Sequence, residues 1–394
     1  MKIVITHLDF SAYFVDRLMA FQEVCRAHLD ELHIIEVLGE SPLYPFLSVS
    51  KNKLDNFEYL LPSATYDDVS IDLMREKLTE RLNEINPDVI FSGPIAFPPS
   101  AISLNWAKKH NKGIVLFDDC QKDTFIRGRF NEFIKKRLYS CVDAFFCPSP
   151  AYRESMRYWG FHDEQIFYGL NAVNNKFWFD DSDMYCEDFK NSYFITIGRQ
   201  VPFKNLLAFL SSYKEYRSKG GNTPLLMVGN GPIHEKLIEM AGDDKHISFL
   251  SYQKPDELKK LYRNTKALIV PSHKTETWGL VVNEAMCARR FIAVSTEVGC
   301  CSTLVTPNNG LSFNPDSLDE MVGALFDIDK MSESDLMKKG IESQRIINNW
   351  GLERFSTGLY DALTYVNSHH VRPSFFNFLL TRFWKGRLNK MERV

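Results

Sequence analysis

Two glutamates, Glu276 and Glu284, bracket seven residues in the stretch His-Lys-Thr-Glu-Thr-Trp-Gly-Leu-Val-Val-Asn-Glu, just after the apolar run of residues 267–271. The pattern predicts a strand, then a loop carrying the first carboxylate, then a helix carrying the second. Thr277, Trp278, Gly279 and Leu280 then form the helix start, where free backbone N–H groups and the helix dipole suit an anion such as a diphosphate. The two carboxylates are placed to accept hydrogen bonds from hydroxyls on either side of it. A nucleotide-sugar presents its groups in that order: sugar hydroxyls, diphosphate, ribose hydroxyls.

A second constellation lies upstream. Gly198-Arg199 follows the apolar run 194–197, and Lys204 comes five residues after the arginine. Arginine offers a planar fork and lysine a point charge, which together clamp a diphosphate. An isolated loop Arg and Lys are more commonly just solvated. The carboxylate pair in the same half of the chain favours the phosphate reading. Gly229-Asn230-Gly231 sits between a predicted strand and a predicted helix. It fits either close backbone approach to a nucleotide or ordinary turn chemistry. The first strand runs into His7-Leu8-Asp9-Phe10 without a glycine, so a nicotinamide-dinucleotide fingerprint is missing where it belongs.

Asp118-Asp119 closes the run 114–117. The pair reads as a strand-end turn cap, as polar groups facing an acceptor, or as a divalent-metal pair. Alternation along an extended strand points neighbouring side chains to opposite faces, which argues against shared metal ligation. No metal and no bound cofactor is expected.

Strands and helices must alternate to position these residues. Strands are expected at 2–6, 33–38, 88–91, 113–117 and 144–147, with helices at 14–28, 71–84 and 131–140 between them. The alternation restarts with strands at 193–197, 224–228, 246–250, 268–270 and 291–295, and helices at 206–219, 233–241, 255–263 and 281–288. Such order implies mostly parallel sheets and an α/β fold of two Rossmann-like domains facing across a cleft. The acidic stretch 179–190 reads as the border, giving an N-terminal domain over 1–178 and a C-terminal one over 190–371, with 372–394 packing back on the first.

The chain has 394 residues, enough for two cores, and 44% hydrophobic content. A net charge of −3 gives no footprint for nucleic acid. Eight cysteines, Cys25, Cys120, Cys141, Cys147, Cys186, Cys287, Cys300 and Cys301, form no CxxC pair and read as free thiols of a reducing cytoplasm. No signal peptide or membrane span is expected. Between Arg372 and Val394, however, stand six bases and one acid, interleaved with Phe375, Phe376, Phe378, Phe383 and Trp384. Residues 375–394 therefore read either as an interfacial helix on an anionic membrane, peripheral to the inner face of the cell membrane, or as a terminal helix with its aromatics on the body and its bases in solvent.

Together these motifs resemble the retaining nucleotide-sugar glycosyltransferases of the GT-B architecture, specifically glycosyltransferase family 4. The resemblance rests on Ile197-Gly198-Arg199 with Lys204-Asn205, on Glu276 through Glu284-Ala285, and on residues 291–299 with Asn309-Gly310-Leu311. It is looser in the first half, at Phe117–Cys120, Arg127, Lys135, Asp143 and residues 166–175. Many family members carry a histidine where Asp118-Asp119 stands.

The resemblance implies that Arg199 and Lys204 bind the diphosphate and stabilise the leaving group. It assigns Glu284 to the ribose hydroxyls and Glu276 to hydroxyls of the transferred sugar. Gly198, Gly229, Gly231, Thr277, Trp278, Gly279 and Leu280 join them in the donor site, and Asp118, Asp119 and Arg127 face the acceptor. It implies a retaining, metal-independent hexosyl transfer to a glycan or lipid-linked hydroxyl in polysaccharide biosynthesis. The competing reading is a non-catalytic chain of the same shape that binds glycan or scaffolds an enzyme.

Overall fold

The computed structural model describes residues 1–39, 51–66, 68–179 and 192–388. Cys186, most of the acidic stretch 179–190 and the tail 389–394 lie outside them. Two compact units are present. One combines Met1–Ala172 with the described chain from Leu352 to Leu388, and the other lies between Val173 and Gly351.

The first unit holds a seven-stranded sheet made of β1 (Lys2–His7), β2 (Glu31–Leu38), β3 (Phe57–Leu61), β4 (Val89–Ser92), β5 (Gly113–Phe117), β6 (Ala144–Cys147) and β7 (Ile166–Tyr168). Its order is β3-β2-β1-β4-β5-β6-β7, and every pair is parallel. Central strands such as β4, β5 and β6 are buried along their whole length. Parallel strands of this kind need helices on both faces.

The second unit repeats the plan with β8 (Tyr193–Ile197), β9 (Leu225–Val228), β10 (Ile247–Leu250), β11 (Thr265–Val270), β12 (Phe291–Ser295) and β13 (Gly310–Phe313), ordered β10-β9-β8-β11-β12-β13 and parallel throughout. In each sheet the chain reverses its direction of build-up, between β1 and β4 in one and between β8 and β11 in the other. Loops leaving the carboxyl ends of such a strand pair diverge and open a crevice, the usual ligand position in these sheets.

The return to the first unit begins at Leu352, twenty residues before the expected 372. Helix Leu352–Ser368 buries Phe355, Leu359, Ala362, Leu363 and Val366 in the same core as Ile3, Ile5, Phe91, Val115 and Phe146. Its amphipathic period is clear, but periodicity does not say which sheet a helix covers. The other border falls at 172/173, before the expected 178. Helix Asn175–Trp178 packs on helix Leu280–Cys287, and the Trp178 ring meets Tyr262 edge-on at 6.0 Å. Helix Pro98–His110, absent from the sequence reading, is buried over its first seven residues, so it lacks the polar stripe that marks an amphipathic helix. The seven described cysteines are free thiols.

Candidate functional site

The two constellations read from the sequence leave adjacent strands at the switch point of the second sheet. Gly198 and Arg199 follow β8, and the loop to Glu276 follows β11. A shallow, open depression lies there, lined by Thr196–Arg199, Lys204, Val228, Pro271 and Ser272 among others. The Arg199 side chain is exposed at its rim and makes no hydrogen bond or ion pair among the described residues, while its carbonyl accepts from Val201 N at 3.0 Å. Lys204 Nζ is ion-paired with Glu276 Oε2, each side chain 15% exposed, and Ser272 Oγ donates to the same oxygen at 3.4 Å.

Backbone bonds hold the two loops together. His273 N donates to Phe203 O at 2.8 Å, Glu276 N to His273 O at 2.9 Å, and Gly299 N to Glu276 O at 3.1 Å. The Glu276 carboxylate therefore sits on a loop tied at both ends, facing the lysine of the neighbouring loop.

Glycine is required where the next turn approaches. Gly229 has φ 133°, and a Cβ there would lie 1.9 Å from Gly198 O. Gly231 has φ 158°, with its Cβ position 2.5 Å from Gln200 O. The close backbone approach seen at this turn is to the Gly198–Gln200 loop. Gly198 N donates to Val228 O and Gln200 N to Asn230 O, so the loop after β8 is laced onto the glycine turn.

Gly279 is the N-cap of helix Leu280–Cys287, with φ 91°. The N–H groups of Gly279 and Leu280 make no hydrogen bond among the described residues. Thr277 is half-buried just before them. Trp278 is buried, its Nε1 donating to Asn283 Oδ1 at 2.9 Å, so its ring anchors the helix start. Glu284 is fully buried in that helix and accepts from Tyr262 Oη at 3.0 Å. The sequence reading missed Tyr262. Only its place on the buried face of helix Pro255–Arg263 hints at it. Burial pushes the Cys300 thiol well up, with Cys301 and Glu276 adding to it, which keeps that neighbour of the site protonated and unreactive.

The first-unit candidates are engaged in local structure. Strand β5 ends at Phe117, so alternation no longer applies at Asp118-Asp119, and the carboxylates and the Cys120 thiol lie within 4.8 Å of one another. Asp118 Oδ1 accepts from Cys120 N at 3.0 Å, and Asp119 Oδ2 from Asn171 Nδ2 at 3.1 Å. Arg127 donates to Lys122 O at 2.8 Å and Phe125 O at 3.1 Å, closing its own loop, and lies 5.4 Å over the Trp159 ring. Lys135 lies 4.5 Å over the same ring, and burial lowers its pKa against the opposing pull of Asp118.

Residues 187–344 match the family "Glycosyl transferases group 1". A 219-residue segment is 25% identical to the O-antigen chain mannosyltransferase RfbU of Salmonella typhimurium, covering 54% of this chain and 58% of that protein. A 103-residue segment is 31% identical to an uncharacterized glycosyltransferase of Methanocaldococcus jannaschii, covering 25% of this chain and 26% of the relative. The chain thus matches little more than half of the first curated relative's length and about a quarter of the second's.

Among solved structures, sucrose-phosphate synthase from Thermosynechococcus elongatus superposes with a TM-score of 0.72 at 13% identity, over 92% of this chain and 98% of that one. Anabaena Alr3699/HepE in complex with UDP gives 0.72 at 13% identity, over 92% and 100%. The lipopolysaccharide outer core galactosyltransferase WaaB gives 0.69 at 17%, over 92% and 99%. The stretch that matches the group 1 glycosyltransferase family thus falls in the second of two parallel-sheet Rossmann-like units, and these structures share the chain's two-unit GT-B fold.

Proposed function

We propose that this chain transfers a sugar from a nucleotide-diphosphate sugar to a hydroxyl of a glycan or lipid-linked acceptor, with retention and without a metal ion. The observation that carries the reading is the charge arrangement at the β8/β11 crevice: an exposed, unpaired Arg199 beside the Lys204–Glu276 pair, with Glu284 fixed below by Tyr262. A diphosphate satisfies Arg199 with its fork and draws Lys204 away from Glu276. That frees Glu276 to accept from the sugar hydroxyls, while Glu284 takes the ribose. The free N–H groups of Gly279 and Leu280 add fixed dipoles without reorganising.

In the transfer, the acceptor oxygen bonds to the anomeric carbon from the face the diphosphate leaves. The bond from that carbon to the phosphate oxygen breaks, and its electron pair stays on the diphosphate. The acceptor's hydroxyl proton passes to the departing phosphate oxygen. No protein base takes part; Arg199 and Lys204 lower the barrier by holding the developing charge. The support from relatives is that one is named an O-antigen mannosyltransferase and that HepE was solved with UDP and with UDP-glucose. The free cysteines suit a reducing cytoplasm.

The test is a screen of nucleotide-sugars for release of nucleoside diphosphate, with and without added glycan. At least one donor is expected to be hydrolysed slowly. Rates unchanged by a chelator support the metal-free reading, and a chelator that stops turnover overturns it in favour of the Asp118-Asp119-Cys120 cluster. A panel in which no donor is consumed sinks the proposal.

A further inference from the structure

Helix Phe375–Phe383, sequence Phe-Phe-Asn-Phe-Leu-Leu-Thr-Arg-Phe, is docked inside out. The residues it buries are polar: Asn377 and Thr381. Asn377 Nδ2 donates to Ser140 Oγ at 2.9 Å, and Asn105 Nδ2 donates to Thr381 Oγ1 at 3.2 Å. Three of its four aromatics face solvent, Phe375, Phe376 and Phe383 being exposed by 78, 56 and 73%, while Phe378 is half-buried. A surface helix ordinarily does the reverse. The orientation is held at both ends. Ser374 Oγ accepts from Asn377 N at the start, and past the end Trp384 Nε1 donates to Ile95 O at 2.8 Å and Arg387 N to Ala96 O at 2.7 Å.

The exposed face does not stop at this helix. It packs against helix Arg129–Tyr139, which exposes Phe130 and Phe133, and the preceding loop leaves Ile126 fully in solvent. Bases accompany the aromatics. From Arg372 to Leu388 there are four, with no acid. Helix Arg129–Tyr139 adds exposed Arg129, Lys136 and Arg137, the last lying 5.1 Å over the Phe133 ring. Its one acid, Glu132, accepts from Tyr158 Oη, and Lys385 meets Asp72 at the edge.

Exposed aromatics on two helices packed against each other mark a binding surface. The bases decide which occupant. A two-fold contact with a second copy would set this basic surface against itself. An anionic bilayer supplies the opposite charge and an interfacial zone for the rings.

We propose that helices Phe375–Phe383 and Arg129–Tyr139 together form a platform that seats the first unit on an anionic lipid surface. The aromatics enter the acyl boundary, and the bases lie on the headgroups. The proposal does not depend on the transfer reaction, and its test does not use it.

The full chain is sedimented with vesicles of phosphatidylglycerol in phosphatidylcholine and with phosphatidylcholine alone. Binding is expected only to the anionic vesicles and is expected to weaken with salt. The triple variant Phe375→Ser/Phe376→Ser/Phe383→Ser is expected to partition roughly tenfold less or worse. Phe130→Ser/Phe133→Ser, which leaves the terminal helix intact, is expected to lose several-fold. Thermal melts matching the unsubstituted chain show that both variants are folded. Three results overturn the proposal: no sedimentation with anionic vesicles at low salt, a triple variant that binds as before, or a dimer in light scattering that the triple variant abolishes while vesicles are ignored. Loss in the terminal-helix variant alone removes helix Arg129–Tyr139 from the platform.

Discussion

The same topological crevice occurs twice in this molecule, and its two copies are filled in opposite ways. Between β8 and β11 it is an open depression bordered by glycine backbone, an exposed Arg199 and the Lys204–Glu276 pair. Between β1 and β4 it is packed with rings. His7, at the end of β1, lies 5.7 Å from Phe10 and Phe117, 6.0 Å from Phe97 and 6.1 Å from Phe14. Gly93, after β4, leaves room for that ring, because a Cβ there would lie 2.4 Å from His7 Cδ2. Burial holds the His7 pKa below its ordinary value, so the ring stays neutral at physiological pH. A parallel sheet offers a ligand position at every reversal of strand order, and the residues that follow the strands decide whether it is used.

The contrast is sharpest for paired substitutions. Arg199→Ala is expected to lower donor turnover about 10²–10³-fold with an unchanged melting temperature, since the side chain is exposed and its work lies in the charged transition state. His7→Ala is expected to do the converse, costing about 2–3 kcal/mol of stability through the cavity it leaves, with nucleotide affinity intact. Kinetics and thermal melts on both variants check this. A His7→Ala protein that is stable but dead would break the comparison.

Next in size is Gly229→Ala. Its strained φ and the contact with Gly198 O are expected to cost about 2 kcal/mol or more in denaturant unfolding and to weaken donor binding in step. Retained affinity would show that the glycine turn supports only the fold.

Tyr262→Phe removes one hydrogen bond to a buried carboxylate, so KM for the donor is expected to rise about five- to tenfold with kcat little changed. A fall in kcat at constant KM would move Glu284 from holding the donor to the chemistry. The smallest effect is expected from Asp119→Asn and Arg127→Lys, which alter contacts within the first unit. Acceptor-free donor hydrolysis should stay within about twofold of the unsubstituted rate, roughly the 0.5 kcal/mol of a surface change. A larger loss would place these residues beside the donor.

What the sequence disclosed follows the same divide. Gly198, Gly229, Gly231 and Gly279 were legible because close backbone approach and positive φ demand one residue type. Glu276 and Glu284 were legible because a strand and a helix fix their spacing. The strands β5, β6, β8 and β12 lie where their apolar runs placed them.

Other features left no such trace. Tyr262 looks like any core tyrosine until its hydroxyl is seen on Glu284. Lys108 and Asp143 make a buried pair at 2.6 Å that also accepts from Val371 N, stapling the returning chain, yet they stand far apart in sequence at ordinary helix and loop positions. The aromatic tail was visible, but its outward face depends on Ser140 and Asn105 accepting and donating to its polar side, a long-range choice that no local pattern records.

The central claim is that the β8/β11 crevice, and not its ring-filled twin, takes the diphosphate. Titration calorimetry of UDP, GDP and ADP into the unsubstituted chain, Arg199→Ala and His7→Ala tests it without needing an acceptor. At least one of the three should bind the unsubstituted chain and His7→Ala alike, and Arg199→Ala should bind it at least tenfold more weakly, about 1.4 kcal/mol. Failure of all three nucleotides to bind, or equal affinity for the unsubstituted chain and Arg199→Ala, would contradict the account.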